Sequence, residues 1–348
     1  MNLMKKSWKF GPILDKTNKR SKVLIMSYYV GVDLGGTNIV AAVVKDDYKI
    51  IAKSSTPTNA PRKPEEIFDD IAKVVFESVE KSNLTMSDIE WVGMGTPGTV
   101  NQKNGYIEFA NNLKFDNVPA RDMLVERLKT KVYLENDANC AALGEALAGC
   151  GHGAPNFVAV TLGTGVGSGV IINSNIITGV NFAGGECGHM VIVKDGEPCS
   201  CGRNGCWEAY ASATALIRQT KDAMEKNPNS LMHQVAEKEG KVSGRTAFDA
   251  MRLGDETAKE VCDKYIEYVA CGVTNLINAM QPEILCIGGG ICNEGETIMK
   301  PIREYVAKER YSIHSSLQTK IVRAELGNDA GVIGAALLGN VKRIGIDE

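Results

Sequence analysis

No stretch of this 348-residue chain is long and apolar enough to span a bilayer. The first 26 residues carry seven Lys/Arg against one Asp, yet lack the continuous apolar run of a secretory signal. A formal net charge of −3 gives no electrostatic footprint for nucleic acid or an anionic membrane. No G-x4-G-K-[ST] loop is present, which excludes a Walker A site. The glycine cluster Gly163–Gly167 runs into apolar strand rather than helix, so it is no Rossmann fingerprint and nicotinamide binding is disfavoured. Ten cysteines are present, but not in a short disulfide scaffold. Cys262, Cys271 and Cys286 sit in apolar runs, where free cysteine serves as a small hydrophobe.

What remains is an ordinary globular composition, 44% apolar and 23% charged, on a chain long enough for two domains and two cores. The basic residues 1–26 are expected to be a disordered tail, or to precede a later start at Met26, and carry no chemistry.

The densest cluster of metal-type ligands is His189-x9-Cys199-Ser-Cys201-x4-Cys206, one imidazole and three thiols in eighteen residues. Zn²⁺ takes four tetrahedral N/S ligands, and a site filled by protein ligands alone is structural. Cys199 and Cys201 are too close in sequence to pair easily with each other. Glu186 and Glu208 bracket the motif, which suggests a metal-shaped loop whose other side chains face a ligand. Thiolate ligands and buried cysteines together point to a reducing cytoplasm.

An internal repeat sets the architecture. Tyr28–Val44 reads as strand, tight glycine turn and strand, followed by a polar turn and a third strand from Ile50. Shifted by 128 residues, the pattern returns without a gap at Phe157–Ile172, with Leu34 over Leu162 and Gly35 over Gly163. Two related α/β halves are expected, each opening with a β-meander. Pro64 is placed to start a helix, and Ile67, Ile71, Val74, Val75 and Val79 recur at helical spacing. Ile89–Gly95 reads as a strand ending at the breaker Thr96-Pro97-Gly98. Val132–Leu134 reads as a strand, with a helix over Ala138–Ala148. Trp207–Met224, Glu256–Met280 and Asp329–Leu338 read as helices, and Ile284–Ile287 and Thr319–Ala324 as strands.

In mixed α/β sheets, ligands sit at the carboxyl ends of strands. Asp33–Asn38, Asn136–Asp137 and Gly288–Gly290 all end strands. The glycine turns Gly35-Gly36-Thr37-Asn38 and Gly163-Thr164-Gly165 can offer backbone N–H groups to a phosphate, or be plain hairpins. Asp33 can meet Mg²⁺ through water. Asp137 can accept a proton from an alcohol in phosphoryl transfer, or simply cap a helix. Beside Asn111, Asn112 and Asn136, the polar-pocket reading gains, because sugar hydroxyls are satisfied by such side chains.

These residues resemble the ROK family (repressors, open reading frames, kinases), and within it the bacterial glucokinases. The matching pieces, in the family's order from Tyr28 on, are DLGGTN at 33–38, GTPG at 95–98, NN at 111–112, ENDAN at 135–139, LGTGVGSG at 162–169, GGECGH at 184–189, CSCGRNGCWE at 199–208 and IGGG at 287–290. The zinc motif is the specific one; DLGGTN alone admits the wider actin and hexokinase superfamily. The resemblance implies an α/β, RNase H-like (actin/hexokinase-type) duplicated two-domain fold with an inter-domain cleft. Residues 27–137, completed by a C-terminal helix near 325–348, would form the small domain, and residues 138–324 the large one. It implies ATP-dependent phosphorylation of glucose or a related hexose such as N-acetylmannosamine, N-acetylglucosamine, fructose or allose; the alternative from another class is a non-catalytic sugar-binding regulator, against which Asp137 and both glycine turns argue. Asp137 would be the base for the sugar 6-hydroxyl, with Gly98, Asn111, Asn136, Glu186, His189 and Glu208 around the sugar. ATP would lie against Asp33, Gly35, Gly36, Thr37, Asn38, Gly163, Thr164, Gly165, Gly289 and Gly290. His189 would share itself between zinc and sugar. The zinc loop favours ATP over polyphosphate, and the 26-residue extension, too short for a winged helix, sets the repressor branch aside. A homodimer is the expected assembly.

Overall fold

The computed structural model describes residues 26–341. The basic extension, apart from Met26, and the end of the expected C-terminal helix lie outside the described residues. The first half opens with a meander, β1 (Tyr28–Leu34), β2 (Asn38–Lys45) and β3 (Ile50–Pro57), followed by α1 (Pro64–Lys81) and β4 (Ile89–Thr96). A small three-stranded sheet follows, β5 (Thr99–Asn101), β6 (Tyr106–Ala110) and β7 (Phe115–Val118), then α2 (Ala120–Leu128), β8 (Val132–Asn136) and α3 (Asp137–Leu147). The second half repeats the meander as β9 (Phe157–Leu162), β10 (Val166–Ile172) and β11 (Asn175–Ile176). Helices α4 (Glu208–Ala211), α5 (Ala213–Lys226), α6 (Met232–Glu239), α7 (Thr246–Arg252) and α8 (Glu256–Met280) lead to β12 (Ile284–Gly288). The chain closes with α9 (Glu296–Glu309), β13 (Lys320–Arg323) and α10 (Ala330–Ala336).

The sheet orders are β3-β2-β1-β4-β8 and β11-β10-β9-β12-β13. In each, the meander is antiparallel and the last two strands add in parallel. The 128-residue sequence repeat is therefore a repeat of sheet topology. The chain has the duplicated actin/hexokinase-type architecture, two α/β domains about a cleft.

Three cores hold it together. One lies between the first sheet and α1 with α2, another between the second sheet and α8 with α9, and the third between the two sheets. Helix α1 begins with Pro at its first turn and acidic Glu65 and Glu66 near the positive end of its dipole. Its buried Ile67, Ile71, Val74 and Val75 each contribute about 1.5–3 kcal/mol by burial. Asp255 caps α8 by accepting from the Ala258 N–H at 2.8 Å.

The third core is filled by α3 and α10, each of which crosses to the other half's sheet. Helix α3 leaves β8 and packs on β10, while α10 leaves β13 and packs on β1 and β4. The two helices touch backbone to backbone: a Cβ added at Gly334 would fall 1.7 Å from the Cys140 carbonyl oxygen. Buried Glu145 of α3 fastens the crossing, accepting from the backbone N–H groups of Glu325 (3.1 Å) and Leu326 (2.7 Å) before α10.

One sequence expectation differs from the structure, and one sheet has no counterpart in the sequence reading. Trp207–Met224 is not one helix, because Ser212 is extended (ψ 162°) and its hydroxyl caps a new helix by accepting from Ala215 N–H. That is the usual preference of serine, which bonds backbone locally and favours caps over helix interiors. The β5–β6–β7 sheet was invisible in sequence, its strands being too short to show alternation. Among the described residues, no helix is long and apolar enough to cross a membrane.

Candidate active site

Register places the key acids side by side. Asp33 on β1 pairs with Gly95 on β4, and Thr96 pairs with Asn136 on β8, so Asp33 and Asp137 both lie at the carboxyl edge of the first sheet. Gly95 lies under Asp137: an added Cβ there would be 3.6 Å from the Asp137 Cα. Asn136 caps α3, accepting from Ala138 N–H at 2.9 Å, and its Nδ2 donates to the Gly98 carbonyl at 3.1 Å. One asparagine thus binds the strand end, the helix start and the Gly98 turn.

Burial pushes the Asp33 carboxyl up to about 6, and the nearby Asp137 charge adds to this. Asp137 is also raised, chiefly by desolvation, against hydrogen bonds from backbone N–H groups at the start of α3. The folded-state pKa of Asp33 exceeds its unfolded value near 3.9. Its ionisation therefore costs nothing below about pH 4, and the cost is complete above about pH 6. Asp33→Asn should remove that cost. In metal-free thermal melts, the variant is expected to gain on the wild type as pH rises from about 4 to about 6, and to keep that gain above it. A difference in melting temperature that does not change with pH would contradict this assignment.

The first glycine turn is tied by buried Thr58, whose hydroxyl donates to the Gly35 carbonyl at 2.7 Å and whose N–H donates to the Thr37 carbonyl at 2.8 Å. Gly36 faces Asn112, with an added Cβ 3.6 Å from that side chain's Cβ, so this turn adjoins the Asn111–Asn112 pair. Asn111 is exposed and accepts from Lys114 Nζ at 3.0 Å. In the second half, Gly163 and Thr164 cap the start of α5, their carbonyls accepting from Ala213 N–H and the Thr214 hydroxyl at 2.8 Å each. Gly289 has φ +99°, and a Cβ there would come 2.2 Å from the Leu162 carbonyl oxygen, so only glycine lets Gly289 and Gly290 lie against the second turn. The nucleotide residues read from sequence thus form two groups, Asp33 to Asn38 on the first half and Gly163–Gly165 with Gly289–Gly290 on the second. Helix α3 lies beside the latter, with Ala138 Cβ 3.5 Å from a Cβ added at Gly167.

His189, Cys199, Cys201 and Cys206 offer four ligand atoms within 4.8 Å of one another. His189 Nδ1 lies 3.6 Å from Cys199 Sγ, and Cys201 Sγ lies 3.6 Å from Cys206 Sγ. A Zn–S bond of about 2.3 Å implies tetrahedral edges of about 3.8 Å, so the donor set fits zinc. Buried Cys206 is pushed up to about 12 by desolvation and by the adjacent thiols, a crowding of sulfur that a dication relieves. Exposed Cys201 is lowered, mainly by the Arg203 backbone N–H.

Both bracketing acids are held. Trp207, between Cys206 and Glu208, is fully buried against Gly272 of α8, and its Nε1 donates to the Tyr268 carbonyl at 2.8 Å. Glu208 accepts from Val166 N–H at 3.0 Å and from the Ser200 hydroxyl at 3.1 Å. Glu186 starts the turn that carries His189. Ser168 of β10 pins that turn, donating to the Gly185 carbonyl and accepting from Cys187 N–H at 3.0 Å. The Glu186 carboxyl is raised by desolvation first, then by Asp137 and Glu208, while His189 pulls the other way. The turn that carries Glu186 also meets the start of α3, since a Cβ added at Gly185 would lie 3.8 Å from Asn139 Oδ1. Thr58, Ser168, Gln102, Glu135 and Asn139 support these groups. Sequence reading assigned them no role, because buried polar residues carry no periodic signature.

A family model described as the ROK family matches residues 29–342. The chain is 38% identical to a glucokinase of Halalkalibacterium halodurans over 89% of this chain and 94% of that protein. It is also 38% identical to a glucokinase of Thermotoga maritima, over 88% of this chain and 95% of that one. The crystal structure of a ROK family glucokinase from Streptomyces griseus in complex with glucose and AMPPNP is similar at TM-score 0.74 and 33% identity. That similarity covers 90% of this chain and 99% of the other.

Proposed function

We propose, from the premise that this chain belongs to the ROK family and is a hexose kinase, that it transfers the γ-phosphoryl group of ATP to the 6-hydroxyl of glucose, with Asp137 as general base. The observation that carries the reading is geometric: Asp33 and Asp137 lie side by side at the carboxyl edge of the first sheet, and the turn before Glu186 meets Asn139 of α3.

Asp137 would accept the hydroxyl proton as the sugar oxygen forms its bond to phosphorus and the bond to the ADP oxygen breaks. Its raised pKa suits a base that must hold a proton briefly near neutral pH. Gly98, Asn111 and Asn136 on the first half, and Glu186, His189 and Glu208 on the second, would orient the sugar hydroxyls. The two glycine turns, with Gly289 and Gly290, would take the phosphates. Mg²⁺, when bound, would neutralise charge along the phosphates, and Asp33 would hold it through water. His189, Cys199, Cys201 and Cys206 would hold a structural zinc through Nδ1 and three sulfurs, leaving the His189 Nε2 for the sugar. The domain boundaries follow the helix exchange: residues 27–137 with α10 would move as one body and residues 138–324 as the other.

A steady-state panel with saturating ATP tests the substrate. Glucose should give the highest kcat/KM, by about tenfold or more over N-acetylmannosamine, N-acetylglucosamine, fructose and allose, since unmatched polar groups in a buried site are costly. A higher value for another hexose would move the assignment to that sugar. No ADP release with any of them would end the kinase reading.

A further inference from the structure

Gln102 sits in the turn between β5 and β6, where side chains ordinarily face water, yet it is only 1% exposed. Its Nε2 donates to both carboxylate oxygens of Glu135 at 2.8 Å. Glu135, on β8 next to Asn136, is also 1% exposed. The same carboxylate accepts from Asn139 Nδ2 at 3.0 Å and from the Asn136 N–H at 2.9 Å. One buried acid therefore joins the β5–β6 hairpin, the end of β8 and the first turn of α3.

Each of these segments leads into the cleft. Gly98 immediately precedes the hairpin, Asn111 immediately follows it, and Asp137 opens α3. Asn139 extends the contact toward the second half, since a Cβ added at Gly185, next to Glu186, would lie 3.8 Å from its Oδ1. An apolar side chain would fill the Glu135 site without any desolvation cost, and buried acids are weak contributors to net stability. What a side chain accepting from several donors supplies is direction, because each hydrogen bond holds its donor to a narrow range of distance and angle.

We propose that Glu135 and Gln102 are positioning residues that set the hairpin's Gly98 and Asn111 at a defined distance from Asp137. Neither touches the reacting atoms. The inference rests on the reading of Asp137 as base and of the hairpin ends as sugar contacts.

The test uses the full chain with Gln102→Met, which keeps the volume and removes the donor. Arg121 still donates to the Gln102 and Lys103 carbonyls, so the turn keeps its anchor to α2. Glucose KM should rise about tenfold or more, as expected for losing hydrogen bonds to a buried charge, while ATP KM stays within about twofold. Hydrogen exchange should accelerate in the hairpin at 99–111 and not elsewhere. Glu135→Gln should remain within about fivefold of wild type, because it keeps an acceptor for Asn136 and Asn139 and can donate to a flipped Gln102 amide. Unchanged glucose KM, or glucose and ATP KM rising together with a general loss of protection, would overturn the proposal. So would a Glu135→Gln loss as large as that of Gln102→Met. If the wild type does not phosphorylate glucose, the underlying reading has failed. Hairpin exchange, which needs no substrate, then decides the tether separately: localised acceleration supports it and unchanged exchange ends it.

Discussion

Replacing Asp137 with Asn is expected to lower kcat by about 10²–10⁴, the usual contribution of a general base, while glucose KM moves far less. Asparagine keeps the side chain's shape and an oxygen to accept from Ala138 N–H, the contact Asp137 makes at 2.8 Å. The Asn136 cap is untouched, so α3 should start at the same place. What disappears is the proton acceptor. In the wild type, the acid limb of kcat/KM should sit above the ordinary aspartate range, because desolvation raises Asp137. Asp137→Asn should abolish that limb along with the rate. A variant that keeps more than half of the wild-type kcat would remove Asp137 from the mechanism.

Loss of the metal is the second large effect. Purified protein should contain about one zinc per chain, and Cys201→Ser should lose it, because three remaining donors cannot close a tetrahedron. Zinc binding contributes folding free energy, so the variant should melt several degrees lower, at about 2–4 °C for each kcal/mol lost. Glucose KM should rise by about tenfold or more as Glu208 and the Glu186–His189 turn lose their shared anchor. Two contacts limit the damage: Trp207 remains buried against α8, and Ser168 still holds the chain at Cys187. The loop should therefore loosen without unfolding the domain. Fully active wild-type protein without metal by elemental analysis would rule out the zinc site.

Much of this was legible along the chain, and the reason is locality. The two meanders showed themselves because a glycine turn between apolar strands, followed by a polar turn, is written in about twenty consecutive residues, twice. Helices α1 and α8 have long buried faces at helical spacing. The four metal-type ligands lie within eighteen residues, so their convergence needs only one loop to close. Asp33 and Asp137 could be placed at strand ends because the breakers beside them are local too.

What only the tertiary structure decided is which distant groups meet. The exchange of α3 and α10 between the halves depends on close backbone approach at Gly144 and Gly334, and small residues look alike in sequence whether or not a helix crosses there. The break at Ser212 depends on a hydroxyl turning to its own backbone. The pairing of Gln102 with Glu135 joins residues 33 positions apart, and a buried glutamine in a hairpin turn reads in sequence like any solvated one. Hydrophobic burial imprints a period on the chain because whole faces must turn inward together. A hydrogen bond between two buried polar side chains requires only that two points coincide in space, and so leaves no period to read.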